Sequence, residues 1–142
     1  GAAIRLIGDG DVAGVIHTTD PDETGIDIYA GIGGAPEGVL AAAALRCIGG
    51  QMQSRLVITR DEQVDRAHRM GIEDIKKKYT LEEMAGPDVL FAATGVTDGN
   101  FLQGVRFGRE HITTHTVVMR SSTGTVRYIK AQHHDLEKFH LD

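Results

Sequence analysis

Residues 39–48 read Val-Leu-Ala-Ala-Ala-Ala-Leu-Arg-Cys-Ile, and Arg46 is the only clearly polar side chain among them. Pro36 stands just ahead of this run and Gly49-Gly50 just behind it. Proline suits the first turn of a helix because the N–H it lacks would have no partner there, and glycine suits the end. The spacing predicts a helix from Pro36 to about Ile48. A helix that is apolar around most of its circumference cannot rest on a surface, so most of its sides must be covered by protein. That requirement selects a layered fold over a small open one. A chain of 142 residues is long enough to supply the layers, since a domain of this size buries roughly 68–70% of its unfolded surface.

The neighbouring segments suggest what the layers are. Residues 3–7 and 26–30 are short apolar runs closed by turns, which predicts two strands, and 51–59 alternates weakly like a third. A helix is expected to begin within 12–16. Charged segments with helical spacing follow at 61–70 and 72–78, and a short helical turn at 81–85. A buried strand is expected at 88–93. From residue 105 onward the pattern turns β-rich, with 113–119 and 125–131 joined by Arg120-Ser-Ser-Thr-Gly124 as a hairpin. The reading is one α/β domain over residues 1–142, with a mixed sheet flanked by helices.

Composition narrows the function. Fifteen Lys and Arg against twenty Asp and Glu give a net charge of −5 without a basic block, which argues against nucleic acid as a partner. No apolar run reaches the ~20 residues of a membrane span. Cys47 is the single cysteine, so no internal disulfide can form, and a reducing, cytoplasmic setting is expected. Its place between apolar neighbours in the helix marks it as a packed thiol rather than a nucleophile.

Chemistry concentrates at the turn 31–38, Gly-Ile-Gly-Gly-Ala-Pro-Glu-Gly. A helix start leaves N–H groups unpaired and carries partial positive charge, so an anion or the Glu37 carboxylate is favoured there. Two nucleotide motifs fail on this turn. The dinucleotide pattern would need its third glycine where Pro36 stands, and the P-loop would need Lys and Ser or Thr where Val39 and Leu40 stand. Asp9, Asp11, Glu37 and Asp98 each sit in a glycine-bearing turn and offer oxygen ligands for a hard cation or acceptors for sugar hydroxyls. Turn-making and dipole compensation explain the same residues equally well. His111 and His115, four apart in a β-branched segment, share a strand face and read as structural. Ser121 and Ser122 lack an adjacent histidine, and Arg120 and Arg127 flank the hairpin as solvated side chains or phosphate contacts.

Five runs, taken in order, carry a family resemblance. They are Asp9-Gly-Asp-Val-Ala, the segment 31–43, Gly49-Gly-Gln-Met-Gln, Ala93-Thr-Gly-Val-Thr-Asp-Gly99, and 118–127. Together they resemble the class II fructose-1,6-bisphosphatases, and only the C-terminal part of that family's chain. The resemblance implies a layered α/β sandwich similar to the lithium-sensitive sugar and inositol phosphatases, with the active site between an N-terminal and a C-terminal portion. It also implies metal-dependent hydrolysis of the 1-phosphate of fructose 1,6-bisphosphate using Mg2+ or Mn2+. Sedoheptulose 1,7-bisphosphate or a related sugar phosphate is the alternative substrate. By the same resemblance Asp9, Gly10 and Asp11 form a substrate-contacting turn, Gly34 gives a backbone contact to the sugar phosphate, and Glu37 is a metal ligand. The expected partners are the sugar bisphosphate, the missing N-terminal portion of the same protein and further copies in a homo-oligomer. A non-catalytic module that binds a phosphate ligand at the same helix start is the reading from another class.

Overall fold

The computed structural model describes residues 1–8 and 10–139; Asp9 and residues 140–142 lie outside the description. The all-apolar helix forms as α3 (Ala35–Ile48). Gly34 precedes it in an extended conformation and Pro36 and Glu37 fill its first turn. Gly49 ends it at φ 90°, where a side chain would be strained, and its N–H donates to the Leu45 carbonyl at 2.9 Å. Arg46, the helix's one basic residue, reaches Glu82 at 3.6 Å.

Two core clusters pack against opposite stripes of this helix. One joins Ala41, Ala42 and Leu45 to Val15, Leu81 and Ala85, and the other joins Ala44 and Cys47 to Ile16, Phe91, Val117 and Met119. The alanines let neighbours approach the helix backbone closely, while Leu45 fills what remains and is fully buried. A leucine removed from water in this way stabilises the fold by about 1.5–3 kcal/mol.

The first cluster is completed by α1 (Asp11–Ile16) and by α5 (Leu81–Met84). Helix α5 is fixed by a reciprocal cap, in which Thr80 N–H donates to Glu83 Oε2 at 2.9 Å and Glu83 N–H to Thr80 Oγ1 at 3.4 Å. Between them lie α2 (Pro21–Thr24), β1 (Gln53–Arg55), the charged α4 (Asp61–Arg69) and β2 (Lys78–Thr80), which pairs antiparallel with β1. Helix α4 buries only Ala67, which agrees with its dense charge.

The second cluster rests on a four-stranded sheet. Strand β5 (Ile112–Arg120) lies at its centre and pairs with β3 (Leu90–Thr94), β4 (Arg106–Phe107) and β6 (Thr125–His133). The β5–β6 hairpin turns through Ser121–Thr123 with Gly124 at φ 56°. Ser121 Oγ accepts the Val89 N–H at 2.8 Å, so this serine ties the hairpin to the base of β3 and has no nucleophile's surroundings.

The sequence expectations hold for the helix at 61–70, the short helix near 81 and the three longest strands, and they need correction elsewhere. Segments 3–7 and 26–30 carry no ladder, and apolar side chains in both lie open, Ile4 at 84%, Leu6 at 91% and Ile28 at 82% exposure, while Ile26 and Tyr29 are half-buried. An extended run becomes a strand only when a neighbour takes its N–H and C=O groups, and none of the described residues does so. Every pairing among the described residues is accordingly antiparallel, so the parallel component of a mixed sheet is not among them. Segment 72–78 is a turn rather than a helix, because Gly71 at φ 83° breaks the chain direction and Asp74 Oδ1 accepts the Lys76 N–H. Of 51–59 only 53–55 pairs. No described helix is long and apolar enough to cross a membrane.

Leu45→Ala should remove about 2–5 kcal/mol of stability, because both neighbouring layers are held too firmly to collapse into the gap. Chemical denaturation measures it, and a loss under 1 kcal/mol would show that the helix is less enclosed than its burial indicates.

Candidate active site

Helix α3 projects its start out of the core, so the glycine turn before it is exposed while its body is fixed. Glu37 lies in the first turn, exposed, with its Oε2 folded back over Gly34. A β-carbon on Gly34 would collide with that oxygen. The absent side chain is therefore what lets the carboxylate sit against the turn.

Asp11 arrives at the same turn from α1, of which it is the first residue. Gly10 enters that helix at φ 77°, a conformation that glycine adopts freely, and this sets the direction in which Asp11 leaves the chain. Asp11 Oδ1 accepts a hydrogen bond from the Tyr29 hydroxyl at 2.9 Å. Its other oxygen, Oδ2, lies 2.7 Å from where a β-carbon on Gly33 would stand. Asp11 and Glu37 thus approach one dipeptide, Gly33-Gly34, from two elements. Burial, with the Asp11 bond and charge adding to it, pushes the Tyr29 phenol above its ordinary range.

Asp98 belongs elsewhere. It sits in the loop after β3, where both its oxygens take the Arg106 guanidinium, at 2.8 and 2.7 Å, and Oδ1 also accepts the Gly104 N–H at 2.9 Å. The Gly104 amide and then Arg106 hold the carboxyl below the usual carboxylate range. With its acceptors engaged this aspartate is a loop clamp, which corrects its inclusion among the candidate ligands. Cys47 is buried, with Sγ 3.7 Å from the Val89 carbonyl oxygen, and burial pushes its thiol up, so it is a packing residue as expected. His111 stacks loosely on His134, with ring centroids 5.3 Å apart, away from the turn at 33–34 in the chain. Asp9 lies outside the described residues. Tyr29 was not among the sequence candidates; Gly14 and Gly31, which make room for its ring, were the available signal.

The described residues hold no group of three or more His, Cys, Asp and Glu able to bind a metal ion. The donor set at the turn is therefore a fraction of a hard-cation shell, two carboxylates where such ions take six or more oxygens.

Glu37 on α3 and Asp11 on α1 thus set two carboxylates beside the unpaired backbone amides of a glycine-lined helix start in an α/β fold. The family follows from the whole sequence. Residues 1–133 match the family described as bacterial fructose-1,6-bisphosphatase, glpX-encoded, and the chain belongs to that family. It is 39% identical over 146 aligned positions to a Gloeobacter violaceus protein named D-fructose 1,6-bisphosphatase class 2/sedoheptulose 1,7-bisphosphatase. It is 42% identical over 148 positions to proteins of the same name from two Synechococcus strains, JA-3-3Ab and JA-2-3B'a(2-13). Each alignment covers 94% of this chain and 42% of the relative, so the chain spans less than half the length of the curated relatives it matches.

Two outcomes test this geometry. Gly34→Ala should displace Glu37 and leave the fold intact, since the backbone there suits any residue and only the tip of a flexible side chain must move; thermal denaturation should shift by no more than about 0.5 kcal/mol. For Asp98, a folded pKa below the unfolded value of ~3.9 contributes stability above that value and loses it as pH falls through the folded pKa. Asp98→Asn should flatten the acid limb of the stability profile below about pH 4, and an unchanged limb would show that the Arg106 contact is idle.

Proposed function

We propose that this chain is the substrate-side portion of a metal-dependent sugar bisphosphatase that hydrolyses the 1-phosphate of fructose 1,6-bisphosphate. Sedoheptulose 1,7-bisphosphate is the alternative substrate, because the names of the relatives pair the two activities. Convergence of Asp11 and Glu37 on Gly33-Gly34 is the observation that carries the reading. In it Glu37 is one ligand of a divalent ion, Mg2+ or Mn2+, and the remaining ligands come from the part of the family's chain that these residues do not match. The ion, when bound, neutralises phosphoryl oxygens and lowers the pKa of the attacking water.

The chain's own residues bind and orient. Gly34 gives the sugar phosphate access to the backbone, and the unpaired N–H groups at the start of α3 favour its charge. Asp11 accepts hydrogen bonds from ring hydroxyls, with Asp9 and Gly10 as its neighbours in the same turn, which supplies orientation rather than bond cleavage. The layers expected for the family's sandwich, a homo-oligomer and a cytoplasmic setting belong to this proposal as well. Residues 1–142 form its single α/β domain.

The isolated chain should release no phosphate from fructose 1,6-bisphosphate with either metal, and metal-dependent release in a phosphate assay would show that half a site suffices. In a chain completed with the unmatched portion of the Gloeobacter violaceus relative, Glu37→Gln should lower turnover about 100-fold and weaken the metal requirement. Unaltered kinetics with an unaltered metal requirement would remove Glu37 from the mechanism.

A further inference from the structure

We propose that Tyr29 is a positioning residue for Asp11: its hydroxyl fixes one carboxylate oxygen so that the other faces the Gly33-Gly34 turn, where a sugar hydroxyl docks. The inference rests on the proposed function and extends it to a residue with no chemistry of its own in the reaction.

Three observations support it. The hydrogen bond from the Tyr29 hydroxyl to Asp11 Oδ1, 2.9 Å long, links residues 18 apart in sequence and ties α1 to the extended segment that feeds the turn. The ring reaches that position by passing between two glycines. A β-carbon on Gly14 would lie 3.0 Å from Tyr29 Cε2, and one on Gly31 would lie 2.6 Å from the hydroxyl oxygen, so a side chain at Gly31 would push the phenol off Asp11. Finally, Asp11 Oδ2 lies against Gly33, the residue next to the Gly34 that Glu37 covers. A free carboxylate rotates between several orientations. One whose first oxygen is held presents the second in a fixed direction, which lowers the entropy lost when a polyol binds.

The phenol also packs against the cluster of Val15, Ala41, Ala42, Leu45, Leu81 and Ala85, so Tyr29→Phe keeps the ring's packing and removes only the hydroxyl. Ionisation of the phenol reads the contact directly. In the chain as it stands, Asp11→Asn should lower the pKa of one of its three tyrosines in an ultraviolet titration, and Tyr29→Phe should identify that tyrosine as the one removed. No change on Asp11→Asn would overturn the link.

Its purpose is read in the completed chain. Tyr29→Phe should raise KM for fructose 1,6-bisphosphate about 10-fold while kcat stays within about two-fold, and Gly31→Ala should reproduce that pattern. On an Asp11→Ala background, Tyr29→Phe should have no further effect. A fall in kcat at constant KM, or an equal loss with and without the Asp11 carboxylate, would overturn the positioning role while leaving the bisphosphatase reading in place. Failure of the unsubstituted completed chain to hydrolyse any sugar bisphosphate would instead overturn that reading and this role with it, and the tyrosine titration would still report the bond itself.

Discussion

A helix without a polar face sets the terms for the rest of this chain. Helix α3 is covered from Ala41 onward by two different layers, α1 with α5 on one stripe and the β5-centred sheet on the other, while Val39 and Leu40 nearer its start stay about half exposed, so the sequence expectation of cover along the whole run holds only for the helix body. Enclosure fixes its axis. With the axis fixed, the first turn cannot drift, so Glu37 and Gly34 hold a defined place at the surface although neither is buried. The stability of the core and the placement of the candidate site are therefore one physical problem.

Much of this was legible in the sequence because it is local. Pro36, Glu37 and Gly49 bracket α3 by rules that act within a turn, and the β-branched runs about Gly124 announce a hairpin. What failed was non-local. Segments 3–7 and 26–30 have the composition of strands, but composition gives no neighbour, and strand formation depends on a neighbour. Asp98 was misread for the same reason: its guanidinium partner lies eight residues on, across a loop whose path no spacing rule describes. Tyr29 was invisible as a single residue, since its partner Asp11 has no periodic relation to it. The two glycines at 14 and 31, which make room for its ring, were the mark it left.

The three candidate acidic side chains that the structure describes, Asp11, Glu37 and Asp98, differ in what is left for a ligand. Asp98 has given both oxygens to one guanidinium and a backbone amide, and has no reason to change partners. Asp11 has given one oxygen to a hydroxyl and has the other without a hydrogen-bond partner among the described residues. Glu37 has no ion-pair partner among the described residues and is offset only by the start of α3. Residual demand for a donor or a cation thus rises from Asp98 to Asp11 to Glu37, and it parallels the roles of clamp, sugar acceptor and metal ligand in the proposed function.

The same reasoning bears on why such a site would be divided between two portions of a chain. A sugar bisphosphate brings several negative charges to a turn that already carries two carboxylates, and the amides at one helix start, worth about half an elementary charge, cannot balance them. Divalent ions can, but they need more oxygen ligands than this turn supplies. Concentrating those further carboxylates on the same helix start would set like charges against one another within a few ångströms before any metal arrived. Under the proposed function, carrying them on a separate layer defers that repulsion until the layers meet around the ions. The exposed apolar side chains of 3–7 and 26–32 then have a physical use, since burying them would help to hold the acidic layers together.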